Sequence, residues 1–146
     1  LLLVVGIALL LIMRKLGKSV PLKIRKYTKS EDEAELMQMI LDEDGWDYAD
    51  ENLSEKYKSA LETSITYVAY KNNVLCGYSR SLEDFGTYIY ICDLLVKPDC
   101  RGGEIGRKLM ECIRQDYPNR IVYVMSGVDG YYEKLGYKRV GSIFEL

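Results

Sequence analysis

Histidine is absent from all 146 residues. That gap excludes Ser-His-Asp and Cys-His triads, histidine general bases and histidine-containing zinc sites. Proline (3), phenylalanine (2) and tryptophan (1) are scarce. After residue 20 no repeat, low-complexity tract or Gly/Ser/Pro linker divides the chain. Charge of one sign is also lacking: 20 Lys+Arg stand against 22 Asp+Glu, a net of -2. Nucleic-acid binding usually needs a basic surplus, so no nucleic-acid partner is expected. The four cysteines, Cys76, Cys92, Cys100 and Cys112, form no C-x-x-C pair. They read as free thiols of a reducing cytosol, with no metal site among them.

What is present is a chain that is 48% apolar and 29% charged, enough for one domain with a real core. Residues 1–20 stand apart from 21–146. Leu1–Met13 is apolar throughout except for Gly6. As a helix it would be roughly 20 Å long, short of a ~30 Å hydrocarbon core. Three readings compete. A membrane anchor would keep Arg14, Lys15, Lys18, Lys23, Arg25 and Lys26 on the cytoplasmic side and bring membrane contact through residues 1–13. A signal peptide lacks its small-residue cleavage site. The third reading is an extension without catalytic consequence. Cytoplasmic placement of the domain is expected.

Leu22–Tyr27 alternates as a strand. Ser30-Glu31-Asp32-Glu33 reads as a capping box opening a helix with Ala34, Met37, Ile40 and Leu41 inward. An acidic stretch, Asp42 to Glu51, precedes a second helix from about Ser54. Ile65–Lys71 and Val74–Ser81 read as strands joined at Asn72-Asn73, a turn that tolerates positive φ. Thr87–Val96 is a long strand stopped at Pro98. A helix follows over Gly106–Tyr117, then the apolar run Ile121–Met125, expected to be buried on both faces. Tyr131–Leu135 reads as a short helix and Tyr137–Phe144 as a last strand. The order β-α-α-β-β-β-α-β-α-β predicts an α/β fold with a mixed sheet.

Chemistry concentrates where the long strand ends. Arg101-Gly102-Gly103-Glu104-Ile105-Gly106-Arg107 is a Gly-rich turn entering a helix. Successive N–H groups backed by a helix N-terminus can hold a phosphate or pyrophosphate. It is neither a P-loop nor G-x-G-x-x-G. Read alone, the segment is equally a plain connector.

Together, Val96, Pro98 and Arg101-Gly102-Gly103-Glu104-Ile105-Gly106 resemble the R/Q-x-x-G-x-G/A block of the GNAT N-acetyltransferase superfamily. Tyr131-Tyr132-Glu133-Lys134-Leu135-Gly136-Tyr137 is similar to its F-Y-x-x-x-G-F step. Glu104 stands where the pattern has its first glycine. The resemblance covers about residues 22–146 and implies a mixed, mostly antiparallel central sheet flanked by helices. It implies acetyl-CoA as co-substrate and direct attack by an amine acceptor, a small molecule or a peptide, with loss of the CoA thiolate. Leu94, Leu95 and Val96 would pair with the pantetheine arm, and Gly102–Arg107 with Arg101 would hold the pyrophosphate. Tyr132 falls where the family keeps its general acid. The protein would act as a monomer or homodimer.

For the base, strand alternation sets Asp93 beside Ile89, Ile91 and Leu95, where partial desolvation would raise its pKa; a structural Asp satisfied by backbone donors or an Arg is the other reading. Glu83 is a second choice. In such proteins the segment holding Asp42, Glu43, Asp44, Asp47, Asp50 and Glu51, with Trp46 and Tyr48, lies near the acceptor entrance. It would favour a cationic acceptor; a solvated acidic loop is the other reading. Two further classes stay open: a non-catalytic acyl-CoA-binding module, and covalent chemistry at Cys100, beside Arg101.

Overall fold

Alternating apolar and charged side chains make Leu22–Lys26 (β1) an edge strand, antiparallel to Ile65–Lys71 (β2). The computed structural model describes residues 20–46, 48 and 50–146. Leu1–Met13, and with it the choice between anchor, signal peptide and extension, lies outside the described residues. Among the described residues no helix is long and apolar enough to cross a membrane. Helices α1 (Lys29–Leu41) and α2 (Glu51–Thr63) follow β1. The sheet continues through Val74–Glu83 (β3) and Tyr88–Val96 (β4). A 3-10 turn at Pro98–Cys100 leads to α3 (Ile105–Asp116), β5 (Ile121–Val124) and α4 (Asp129–Lys134). The strands lie in chain order, antiparallel except for the parallel β4–β5 pair that α3 bridges. This is the expected mixed, mostly antiparallel α/β sheet. Asn72 and Asn73 have φ of 52° and 59°, as a two-residue hairpin requires.

The first helix begins earlier than Ser30 suggests. Thr28 is its N-cap, and the Asp32 carboxylate accepts the Thr28 N–H at 2.7 Å. Asp32 is fully buried because Arg25 clamps it with two 2.7 Å bonds and Tyr70 donates at 2.9 Å. Satisfying that buried charge turns the helix. Leu36, Met37, Met39 and Ile40 face inward, while Ala34 and Leu41 point to solvent.

Two cores sandwich the sheet. Leu36, Ile40 and Leu61 pack on Val68, Leu75, Tyr78 and Leu95 on the α1/α2 face. Ile105, Leu109 and Ile113 pack on Ala69, Ile89 and Ile91 on the α3 face. The β3–β4 register slips in between: Arg80 pairs with Asp93, but Ser81 pairs with Ile91. Cys92 is thus the extra residue of a β-bulge. Strict alternation expects Asp93 on the face of Ile89 and Ile91. The bulge instead turns Asp93 and Leu95 to the α1/α2 face.

Two expectations at the C-terminal end fail. Val122 and Val124 pack beneath α3, but Ile121 and Met125 are 48% and 38% exposed, so β5 is not buried on both faces. Its outer side carries Ile121 and the Tyr123 ring, the latter stacked on Tyr88 at 5.3 Å. Tyr137–Phe144 forms no strand. Its large apolar residues fall on both parities around Gly141, so no single face can be buried, and Val140, Ile143 and Phe144 are exposed.

Candidate functional site

The bulge parts β4 from β5. Their parallel pairing runs from Tyr88–Ile121 to Ile91–Val124 and closes with the Met125 N–H on the Ile91 carbonyl at 2.9 Å. Beyond that point β4 keeps β3 on one side only, and its other edge borders a cleft of about 860 Å³. The Lys97 N–H reaches Cys76 on β3 at 2.8 Å. Alternation therefore aims the Leu95 N–H at β3 as well, and the Leu94 and Val96 N–H groups at the cleft.

At the end of that edge the chain turns into α3. Gly102 and Glu104 are left-handed, with φ of 87° and 60°, the kind of turn whose successive N–H groups can form an anion nest. The α3 N-terminus has no side-chain cap, so its donors remain available. A Cβ at position 106 would lie 2.5 Å from the Tyr131 hydroxyl; glycine is what lets α4 close over this turn. Arg101 donates through Nε to the Val96 carbonyl at 2.9 Å and through Nη2 to Glu43 at 3.2 Å. Arg107 donates to Glu104 at 2.8 Å. Leu94, Leu95, Val96, Arg101, Gly102, Glu104, Ile105, Gly106 and Arg107 all line the cleft; Gly103 does not.

Both expected catalytic side chains border the same cleft. Asp93 is 7% exposed, and its Oδ2 accepts from Arg80 Nε at 2.5 Å and from the Tyr57 hydroxyl at 2.9 Å. The Tyr57 and Tyr78 hydroxyls lie 2.6 Å apart. Burial opposes the Arg80 charge, but Asp93 outweighs it and raises the guanidinium pKa. Burial pushes both phenols up as well. Asp93 is not a solitary desolvated carboxylate: it lies between Arg80 and Tyr57 in a buried four-residue network that ends at Tyr78, and an arginine partner is what the second reading of its sequence position allowed. Tyr132 is half-buried, and burial first, then Tyr131, pushes its pKa up to about 12. The Tyr131 ring meets it edge-on at 5.1 Å.

Other candidates are displaced. Glu83 lies away from the cleft, paired with Arg120 at 3.1 Å. Burial, then Cys76, pushes the Cys100 thiol up to about 12. An activated thiol needs the opposite shift. The segment between α1 and α2 supplies the facing wall through Glu43, Trp46 and Tyr48, with Tyr48 stacked on Tyr57 at 3.8 Å. Asp47 lies outside the described residues. Sequence reasoning missed Arg80, Tyr57 and Tyr131. Arg80 meets Asp93 only through the slipped register, and the doubled tyrosine motif was the one signal for Tyr131.

Residues 62–139, more than half of the chain, match the acetyltransferase (GNAT) domain family. The chain belongs to the GNAT family. Among solved structures, it resembles a GNAT-family acetyltransferase of Streptococcus pneumoniae (22% identity, 87% of this chain and 98% of the other, TM-score 0.64). It also resembles the aminoglycoside N-acetyltransferase AAC(6')-Iy in complex with CoA (12%, 89% and 96%, 0.69). A third likeness is to a predicted acetyltransferase with acetyl-CoA from Clostridium acetobutylicum (18%, 86% and 96%, 0.64). At these identities the likeness establishes the fold. No curated protein sequence matches.

Within this GNAT domain Glu104 takes a left-handed conformation that suits glycine. Its side chain is 56% exposed. Glu104→Gly should therefore raise the melting temperature, relieving about 1 kcal/mol of backbone strain. The acetyl-CoA dissociation constant should change by less than about tenfold, ~1.4 kcal/mol. Calorimetric titration of both proteins checks this; a much larger gain in affinity would mean that Glu104 electrostatically blocks the nest.

Proposed function

We propose that this protein transfers the acetyl group of acetyl-CoA to a primary amine, carried by a small cationic molecule or by a protein lysine or N-terminus, through direct attack. One observation carries the reading: a free strand edge and an uncapped helix N-terminus meet in a single cleft. The first is a strip of donors and acceptors suited to an amide-bearing arm; the second suits a pyrophosphate. The cleft volume lies within the usual range for ligand sites, roughly 300–1,000 Å³. Two structural neighbours named above carry CoA or acetyl-CoA.

Acetyl-CoA would bring the activated acyl group as a thioester. Leu94, Leu95 and Val96 would hold its arm, and the turn from Gly102 to Arg107 with Arg101 would hold its phosphates. An outward N–H of Leu94 or Val96 would polarise the acyl carbonyl, an oxyanion-hole role. Tyr132, protonated at neutral pH, would hold its proton toward the departing sulfur. Asp93 would accept the acceptor's proton through water.

Thermal denaturation with acetyl-CoA, NAD and ATP tests the reading. At a hundredfold excess over its dissociation constant a ligand of the folded state adds about 2.7 kcal/mol, roughly 5–10 °C for a domain of this size. Acetyl-CoA should give that shift, NAD and ATP much less. An amine panel with a free-thiol readout should then show turnover. Equal shifts with ATP would reduce the site to a generic phosphate nest, and saturable binding without turnover of any amine would make it an acyl-CoA-binding module.

A further inference from the structure

We propose that Glu43 changes partners during the reaction: it pairs with Arg101 until the phosphates of the cofactor claim that guanidinium, and then receives a cationic group of the acceptor. The inference rests on the acetyl-CoA reading above and adds an acceptor class to it, an amine carrying a second positive charge besides the reacting nitrogen.

Arg101 is anchored at the end of β4 by its Nε bond to the Val96 carbonyl, so only the tip of the guanidinium is shared with Glu43, at 3.2 Å. The two side chains are 52% and 22% exposed. Water reaches the pair from the Arg101 side and screens it, so it is weakly held. A pyrophosphate in the adjacent nest offers the guanidinium more charge and a bidentate fit, and wins the exchange. Glu43 is then left half-covered without its cation. Among the described residues its one ion pair is with Arg101. Asp93 is already committed to Arg80, so it cannot serve a second cation. Glu43 shares its wall with Trp46 and Tyr48, whose rings add cation–π attraction. Because one carboxylate serves both ligands in turn, each must strengthen the other's binding by the same factor.

Trp46 is the chain's single tryptophan, so its fluorescence reports on this wall. CoA serves as the cofactor probe, which avoids turnover, with spermidine and n-butylamine as amine probes. Saturating CoA should tighten spermidine binding at least fivefold and n-butylamine binding less than twofold. Glu43→Gln should bind CoA at least threefold more tightly, and its CoA–spermidine coupling should fall below twofold. Glu104→Gln removes the same charge from the other arginine of the nest and should keep the coupling. Unchanged CoA affinity or unchanged coupling in Glu43→Gln would overturn the inference, as would equal loss in Glu104→Gln or no spermidine binding to the CoA-loaded protein. If CoA binds and these couplings are absent, only this inference falls. If CoA does not bind, the acetyl-CoA reading falls with it.

Discussion

Tyr132→Phe is expected to slow acetyl transfer by roughly 10²- to 10⁴-fold, the usual range for losing a positioned acid, or about 2.7–5.5 kcal/mol of barrier. The change removes one oxygen and little packing, so the melting temperature and acetyl-CoA affinity should hold. Burial pushes the Tyr132 phenol up to about 12. The hydroxyl therefore stays protonated through neutral and mildly alkaline pH, and the rate should not fall between pH 7 and 10 on its account. Tyr131→Phe is the control. Adjacent helical residues point about 100° apart, and the Tyr131 hydroxyl stands over Gly106. Single-turnover rates for the two variants decide between them. A large loss in Tyr131→Phe alone would shift the acid by one residue; no loss in either would mean that the thiolate leaves unaided.

Asp93→Asn should act first on stability. It leaves Arg80, whose side chain is 11% exposed, charged and without its counter-ion. Removing one partner of a buried pair costs about 3–5 kcal/mol, whereas removing both charges is often close to neutral. The double variant Asp93→Asn with Arg80→Met should regain much of the lost melting temperature. That recovery isolates the chemistry: a proton-accepting Asp93 predicts that the refolded double variant binds acetyl-CoA and remains inactive. Near-native turnover by the double variant would leave Asp93 a purely structural residue.

The parts of this protein that were legible in its sequence are those written in local code. Gly102 and the strand-to-helix transition signalled the tight turn, because its φ of 87° suits a residue without a Cβ. Asn72-Asn73 signalled its hairpin because asparagine tolerates the positive φ that a two-residue turn requires. What escaped depends on pairing across the sheet. Arg80 and Asp93 lie 13 residues apart and meet only because the β3–β4 register slips by one. Tyr57 reaches them from another element. The inward face of α1 keeps the expected Met37 and Ile40 but not Ala34 and Leu41, because a charged residue, Asp32, is buried there and Arg25 on β1 makes that tolerable. The strand expected at Tyr137–Phe144 had composition in its favour but no consistent face to bury.

Cys92 is a change of phase in β4. Up to Ile91 the strand is written for the packing of α3; after it, the same odd and even positions mean the reverse. Asp93 and Leu95 thus answer to the α1/α2 face, while Leu94 and Val96, which line the cleft, stay packed against the layer that Ile89 and Ile91 form under α3. One residue sets which side chains of the second stretch reach α3, and deleting it would put both stretches back into a single frame, with Asp93 and Leu95 beneath α3.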